Sequence, residues 1–203
     1  MARAARGRAR VNMLAPPVAD DAPFRIHRYP ADLIDRVTLR SGAVVTVRPV
    51  LPQDAALEQR FVRGLQPATR YRRFHVGTSE LTDGLLRYFT QVDYSSHLAL
   101  IAETFDDQGN EIQIADARYV RRSDEPVADF AVVVDDAWQG QGLGAYLMTA
   151  LGRAARTAGI LRLEGDVLAG NESMLSLGRR LGGTVSLHPE ESRLLKVRVQ
   201  LSD

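Results

Sequence analysis

Between Val132 and Met148 the chain reads VVVDDAWQGQGLGAYLM, with three glycines set between an apolar run and a stretch of helical character. Loops of this kind hold anions. Without a Cβ the backbone can approach phosphate oxygens, and the amides at a helix N-terminus converge on negative charge. What the loop does depends on which phosphate it takes. Gly140-Gln141-Gly142-Leu143-Gly144-Ala145 fits the GxGxxA form of the dinucleotide fingerprint, and Glu164 follows about 20 residues on, at the next strand. Against that reading, Asp135 to Gln139 separate the strand from the first glycine, and at least three strands come first. A dinucleotide fingerprint runs almost straight from its strand and usually opens its domain. A triphosphate P-loop fails because no Lys-Ser/Thr follows the glycines. A plain glycine-rich turn ahead of a helix is the bland reading.

The remaining candidate is a coenzyme A pyrophosphate, cradled by consecutive amides at Gly140, Gly142, Leu143 and Gly144. Here the segment Gln139-Gly-Gln-Gly-Leu-Gly144 resembles the Q/R-x-x-G-x-G/A signature of the GNAT superfamily of N-acetyltransferases. YPADLIDRVTLRSGAVVTVRPVLPQDA, ATRYRRF, VDYSSHLALIA, VADFAVVV and NESMLSLGRRLGG resemble consecutive blocks of one subgroup. That subgroup includes the bacterial protein-lysine acetyltransferases directed at acyl-CoA synthetases, and the resemblance runs from about Tyr29 to Leu201.

The resemblance implies an α/β (α+β) fold. A single mixed, mostly antiparallel sheet would be flanked by helices and splayed between the VADFAVVV and ILRLEGDVL strands. It implies acetyl-CoA as co-substrate and an amine acceptor, a protein lysine or a small amine. The pantetheine arm would pair with main chain at Val132 and Val134, whose side chains core packing explains equally well. The phosphates would meet Gln139, Gly140, Gln141, Gly142, Leu143, Gly144 and Ala145, and Asn171 would meet the pantetheine amides while serving as an N-cap.

An attacking lysine amine titrates near ~10.4, so a general base has to take its proton. Relatives often place Glu near the start of this strand; the matching residue is Asp129, between Ala128 and Phe130. Apolar surroundings should raise its pKa, and the shorter side chain favours a water relay. The competing role is a strand-start carboxylate bonded to a neighbouring loop. Many relatives carry a Tyr that protonates the leaving thiolate, but Gly178 stands at that position, leaving Ser173, Tyr146 or a water. With no Cys to carry an acyl group, direct attack in a ternary complex is the expected course. A catalytically weak acyl-CoA-binding sensor is the alternative. Arg70, Arg72 and Arg73 read first as a solvated helix face, and His97 first as a structural residue.

These residues need a scaffold. SGAVVTVRPV reads as a turn and a strand, Pro52 starts a helix, Pro67 restarts one, and Thr82 caps a third over TDGLLRYFTQ. HLALIAET and EIQIADARYV form a hairpin about DDQGN, the second arm alternating as a half-buried strand. VADFAVVV reads as a strand buried on both faces. A helix over Leu143 to Ala158 with Gly159 at C′, the strand ILRLEGDVL, the helix NESMLSLGRRLGG and the strand LLKVRVQL complete the order.

The 203 residues suit one domain over 24–203, with 1–23 an Arg- and Pro-rich tail expected to be disordered. A net charge of +1 gives no bulk argument for nucleic acid or a membrane, and no apolar run reaches membrane length. MARAARGRAR lacks the apolar core of a secretory signal, which makes the cytoplasm the default location. The absence of Cys and the scatter of His27, His75, His97 and His188 argue against a metal site. Lys196 is the only lysine. Oligomeric state is left open, a homodimer included.

Overall fold

The computed structural model describes residues 27–123 and 125–201. The tail expected over 1–23 lies outside them. Eight strands form one open sheet: β1 (Asp35–Thr38), β2 (Val44–Pro49), β3 (His97–Phe105), β4 (Glu111–Arg121), β5 (Val127–Val134), β6 (Arg162–Leu168), β7 (Thr184–Leu187) and β8 (Leu194–Gln200). Their spatial order is β1-β2-β3-β4-β5-β6-β8-β7, and every pairing is antiparallel except β5 with β6. Helices α1 (Ala55–Gly64), α2 (Pro67–Phe74) and α3 (Asp83–Thr90) precede β3, α4 (Leu143–Thr157) joins β5 to β6, and α5 (Glu172–Arg180) follows β6. The sheet is the mixed, mostly antiparallel one expected.

Two cores hold the helices on the sheet. On one face Leu143, Leu147, Leu151, Leu175 and Leu177 of α4 and α5 meet Ala128, Phe130, Leu163, Val167 and Val197. On the other, Phe61, Val62, Phe74 and Phe89 of α1, α2 and α3 pack with Val133 of β5. Each aliphatic or aromatic side chain so buried contributes about 1.5–3 kcal/mol over exposure. Helix limits follow local chemistry: Thr82 Oγ1 accepts from Leu85 N–H at 3.3 Å, and Gly159 takes φ +76° just past α4.

Two strands escaped the sequence. β1 and β7 are four-residue edge strands, largely exposed, so neither carries an apolar period. A third expectation fails for a different reason. The alternation in β4 suggested one face in water, yet every residue from Gln113 to Tyr119 is buried. Its polar members form an ion cluster beneath α1–α3. Arg118 Nε and Nη2 hold Asp116 at 3.0 and 2.5 Å, and Gln113 Nε2 donates to Glu58 Oε2 at 2.7 Å. The Arg118 guanidinium also lies 3.9 Å from the Phe89 ring centroid.

Candidate active site

The parallel pairing of β5 with β6 lasts only three residues, Val127↔Arg162, Ala128↔Leu163 and Asp129↔Glu164. Beyond Asp129 and Glu164 the strands part while β5 runs on to Val134 and β6 to Leu168. This is the expected splay. Phe130 fills the bottom of the wedge: a Cβ on Gly165 would come within 2.8 Å of its ring, so glycine there lets the aromatic lie across the fork. β5 was expected to be buried on both faces, but Asp129, Ala131, Val132 and Val134 are half-open because the partner strand has left.

The free edge of β5 can be assigned residue by residue. Asp135 N–H donates to Ile114 O and Arg122 N–H to Val127 O, so odd residues turn their backbone groups towards β4. By the two-residue alternation, Val132 and Val134 turn theirs into the gap. These are the two residues expected to pair with pantetheine.

The glycine loop closes the far end of the gap. Gly140 (φ +75°) and Gly142 (φ +96°) both occupy the left-handed region. The first bond of α4 is Tyr146 N–H to Gly142 O at 3.1 Å. Among the described residues, the amides of Gly140 to Ala145 meet no protein acceptor, leaving a nest of donors at a helix N-terminus. The loop is braced from outside. Asp136 accepts from Thr69 Oγ1 at 2.6 Å and Gln66 N–H at 3.1 Å, tying it to the start of α2. Asp135 accepts from Ala137 N–H at 3.0 Å. Both aspartates are turn residues, their carboxylates hydrogen-bonded to the start of α2 and to the loop's own backbone.

Gap and loop together bound a cavity of about 640 Å³. It is lined by Val132, Val134, Gln139, Gly140, Gly142, Leu143, Gly144, Ala145 and Asn171, and by Arg40, Arg72, Arg73 and Arg180. Asn171 Oδ1 accepts from Met174 N–H at 3.3 Å, so the cap and the cavity wall are one residue. Gln139 folds its amide back onto Val134 O at 3.0 Å. Gln141 points away from the cavity, accepting from Ser41 Oγ at 2.5 Å.

Asp129 stands at the apex, on the last rung. Arg122 Nη2 donates to Asp129 Oδ1 at 2.5 Å, Nε to Oδ2 at 3.2 Å, and Nη2 again to Glu164 Oε2 at 3.0 Å. Arg162 and Arg198 reach Glu164 at 2.9 and 3.2 Å. Burial raises the Asp129 carboxyl above its usual range, and the Arg122 hydrogen bonds and charge pull against that. The raised pKa expected of a base and the loop contact expected of a structural carboxylate are both present.

Other candidates sort plainly. Tyr146 donates to Asp35 Oδ2 at 2.5 Å and does not line the cavity; Ser173 does. Gly178 is glycine for packing, since a Cβ there would sit 2.6 Å from Val197 Cγ1. His97 is buried, and burial with the Arg118 charge pushes its imidazole down to about 3, far from a base at neutrality. The arginine cluster is not a solvated face. Arg70 caps α1, donating to Leu65 O at 2.9 Å, and Arg73 is buried against Asp116 at 3.5 Å. Arg72 alone of the three is exposed. Sequence reasoning missed Arg122, whose role shows only once the hairpin brings it back over Asp129.

A ladder that opens beside an amide nest, with a carboxylate at the fork, is the arrangement expected of an N-acyltransferase. The Acetyltransferase (GNAT) family model matches residues 108–182, which hold β4, β5, the glycine loop, α4, β6 and α5. An acetyltransferase of Pseudomonas aeruginosa is 31% identical over 164 residues, 81% of this chain and 88% of that protein. The acetyltransferase Pat of Mycolicibacterium smegmatis is 35% identical over 150 residues, 72% of this chain but 43% of that longer protein. The crystal structure of the GNAT domain of S. lividans PAT superposes with a TM-score of 0.76 at 26% identity, covering 85% of this chain and 99% of that one. The chain belongs to the GNAT acetyltransferase family and is an N-acetyltransferase.

Proposed function

We propose that the acceptor is a protein lysine and that Asp129 takes its proton, through a water or directly. The observation that carries this is the fork: β5 and β6 part just after Asp129, and the gap they leave runs towards the amide nest, with Asp129 at its apex rather than in the lining of the cavity. Side chains alternate along β5, so Asp129 and Ala131 point away from the Phe130 core, onto the face that also bears Glu164 and Asp166. The carboxylates on that face, each held in an ion pair, suit a cationic lysine side chain better than an apolar amine.

On this reading the pyrophosphate rests on the amides of Gly140, Gly142, Leu143, Gly144 and Ala145. Arg40, Arg72 and Arg180, which line the same cavity, offer guanidinium partners to the phosphates. Pantetheine adds to β5 through the backbone of Val132 and Val134 and meets Asn171. Gln139 and Gln141 act by bracing the loop. A β5 amide facing the gap polarises the thioester carbonyl and holds the developing oxyanion. The amine attacks, the C–S bond breaks, and CoA leaves as a thiol.

The test offers the enzyme acetyl-CoA with a lysine-bearing peptide and, separately, small free amines, following thiol release. Turnover of the peptide is expected. Turnover confined to the small amines would overturn the acceptor assignment.

A further inference from the structure

Of the 26 Lys and Arg residues, Lys196 is the only lysine, so its Nζ is the only side-chain amine the chain could acetylate on itself. Its position is unusual. Lys196 lies on β8 opposite Asp166 of β6 and donates to that carboxylate in a close ion pair. Asp166 is two residues past the last β5–β6 rung, Asp129↔Glu164. Had the ladder continued, Asp166 would face Ala131, which is where the gap first opens. The Lys196 ammonium is therefore held beside Asp166 on the face that carries Asp129, with β6 between it and the gap and outside the lining of the cavity itself. Its charge is felt by the Asp129 carboxylate, as is that of Asp166. The lysine stem is buried, with 9% of the side chain exposed, whereas Asp166 is 36% exposed and opens the pair to the polar face.

We propose that Lys196 is an intramolecular acetyl acceptor, modified by the same centre that serves the external amine. This rests on the donor site described above. The ammonium passes one proton to the Asp166 carboxylate it already contacts, and thence to solvent. The freed amine attacks the thioester carbonyl; the C–S bond breaks, and a second amine proton leaves with CoA thiol. One hydrogen stays on the amide nitrogen. The product has lost its positive charge, so Asp166 loses an ion-pair partner and Asp129 a neighbouring cation. His188 Nε2, buried without a hydrogen-bond partner among the described residues and 3.7 Å from Asp166, is placed to share that carboxylate afterwards.

The test incubates the full chain with acetyl-CoA and reads intact mass, then maps the adduct by peptide analysis. CoA binding is measured on the same sample. One acetyl group is expected on Lys196, at a rate independent of protein concentration and lowered about a hundredfold in Asp166→Asn, which removes the carboxylate that takes the proton. Lys196→Arg, which keeps the charge, should take up none. An unmodified Lys196 in enzyme that binds CoA and turns over an amine would overturn the proposal while leaving the function standing. So would an adduct that forms as fast on heat-unfolded chain, or at a rate proportional to protein concentration. Loss of CoA binding itself would instead sink the donor site and this proposal with it.

Discussion

Gly142→Ala isolates the cradle from the rest of the fold. Gly142 holds φ +96° and ψ −11°, and a Cβ built there meets no atom within 4 Å. The alanine is therefore not excluded by its neighbours; only the backbone conformation opposes it. Left-handed backbone costs an L-residue about 1–2 kcal/mol. That lowers the population of the nest-forming loop by about 5- to 30-fold, and the apparent Kd for CoA rises by the same factor. Gly64→Ala is the control. It ends α1 away from the cavity, its Cβ would meet nothing within 4 Å, and its φ is not positive. CoA affinity there should stay within about threefold of wild type. Calorimetric titration of CoA into each variant, with a melting curve alongside, reads the two effects separately. Wild-type CoA affinity in Gly142→Ala would show that the pyrophosphate does not rest on these amides.

Arg122→Gln removes the cation that holds both oxygens of Asp129. Burial then acts with less opposition, so the acid limb of kcat/KM should move to higher pH; an unmoved limb would separate Arg122 from the base. Gly178→Ala forces a methyl against Val197 and should cost about 1–3 kcal/mol of stability by overpacking, read as a lower Tm. Stability should also depend on pH through two buried groups. His97, at about 3 when folded against 6.5 unfolded, stabilises fully above pH 6.5, and that contribution is lost as pH falls towards 3. Glu58, pushed by burial and the Asp116 charge to about 7 from 4.5, contributes below pH 4.5 and loses that contribution as pH rises through 7. Melting curves of His97→Gln and Glu58→Gln across this range should each lose the corresponding limb.

The glycine loop was legible because backbone geometry writes itself into glycine. Two of the three glycines in the loop need φ values that other residues adopt only at a cost, and the strand before them reads as apolar. The splay was legible only by resemblance, since nothing in VADFAVVV says that its ladder stops at Asp129. β4 misled because alternating polarity does not say what the polar face meets. Asp116 and Arg118 satisfy one another under three helices rather than in water. Arg70, Arg72 and Arg73 are three residues in a helix of eight, and the structure sends them to three different environments. Arg122, Lys196 and Asp166 carry no local signal at all. Their meaning depends on which strands become neighbours, β6 lying between β5 and β8.

The most direct test of the account is a comparison of wild-type enzyme with Asp129→Asn, measuring kcat and CoA affinity on the same protein. Asparagine keeps the size of the side chain and loses the basic oxygen. Unchanged CoA affinity with kcat lowered about a hundredfold or more is the result the account predicts. Turnover close to that of the wild type would contradict it, and would leave Asp129 as a structural partner of Arg122 at the fork.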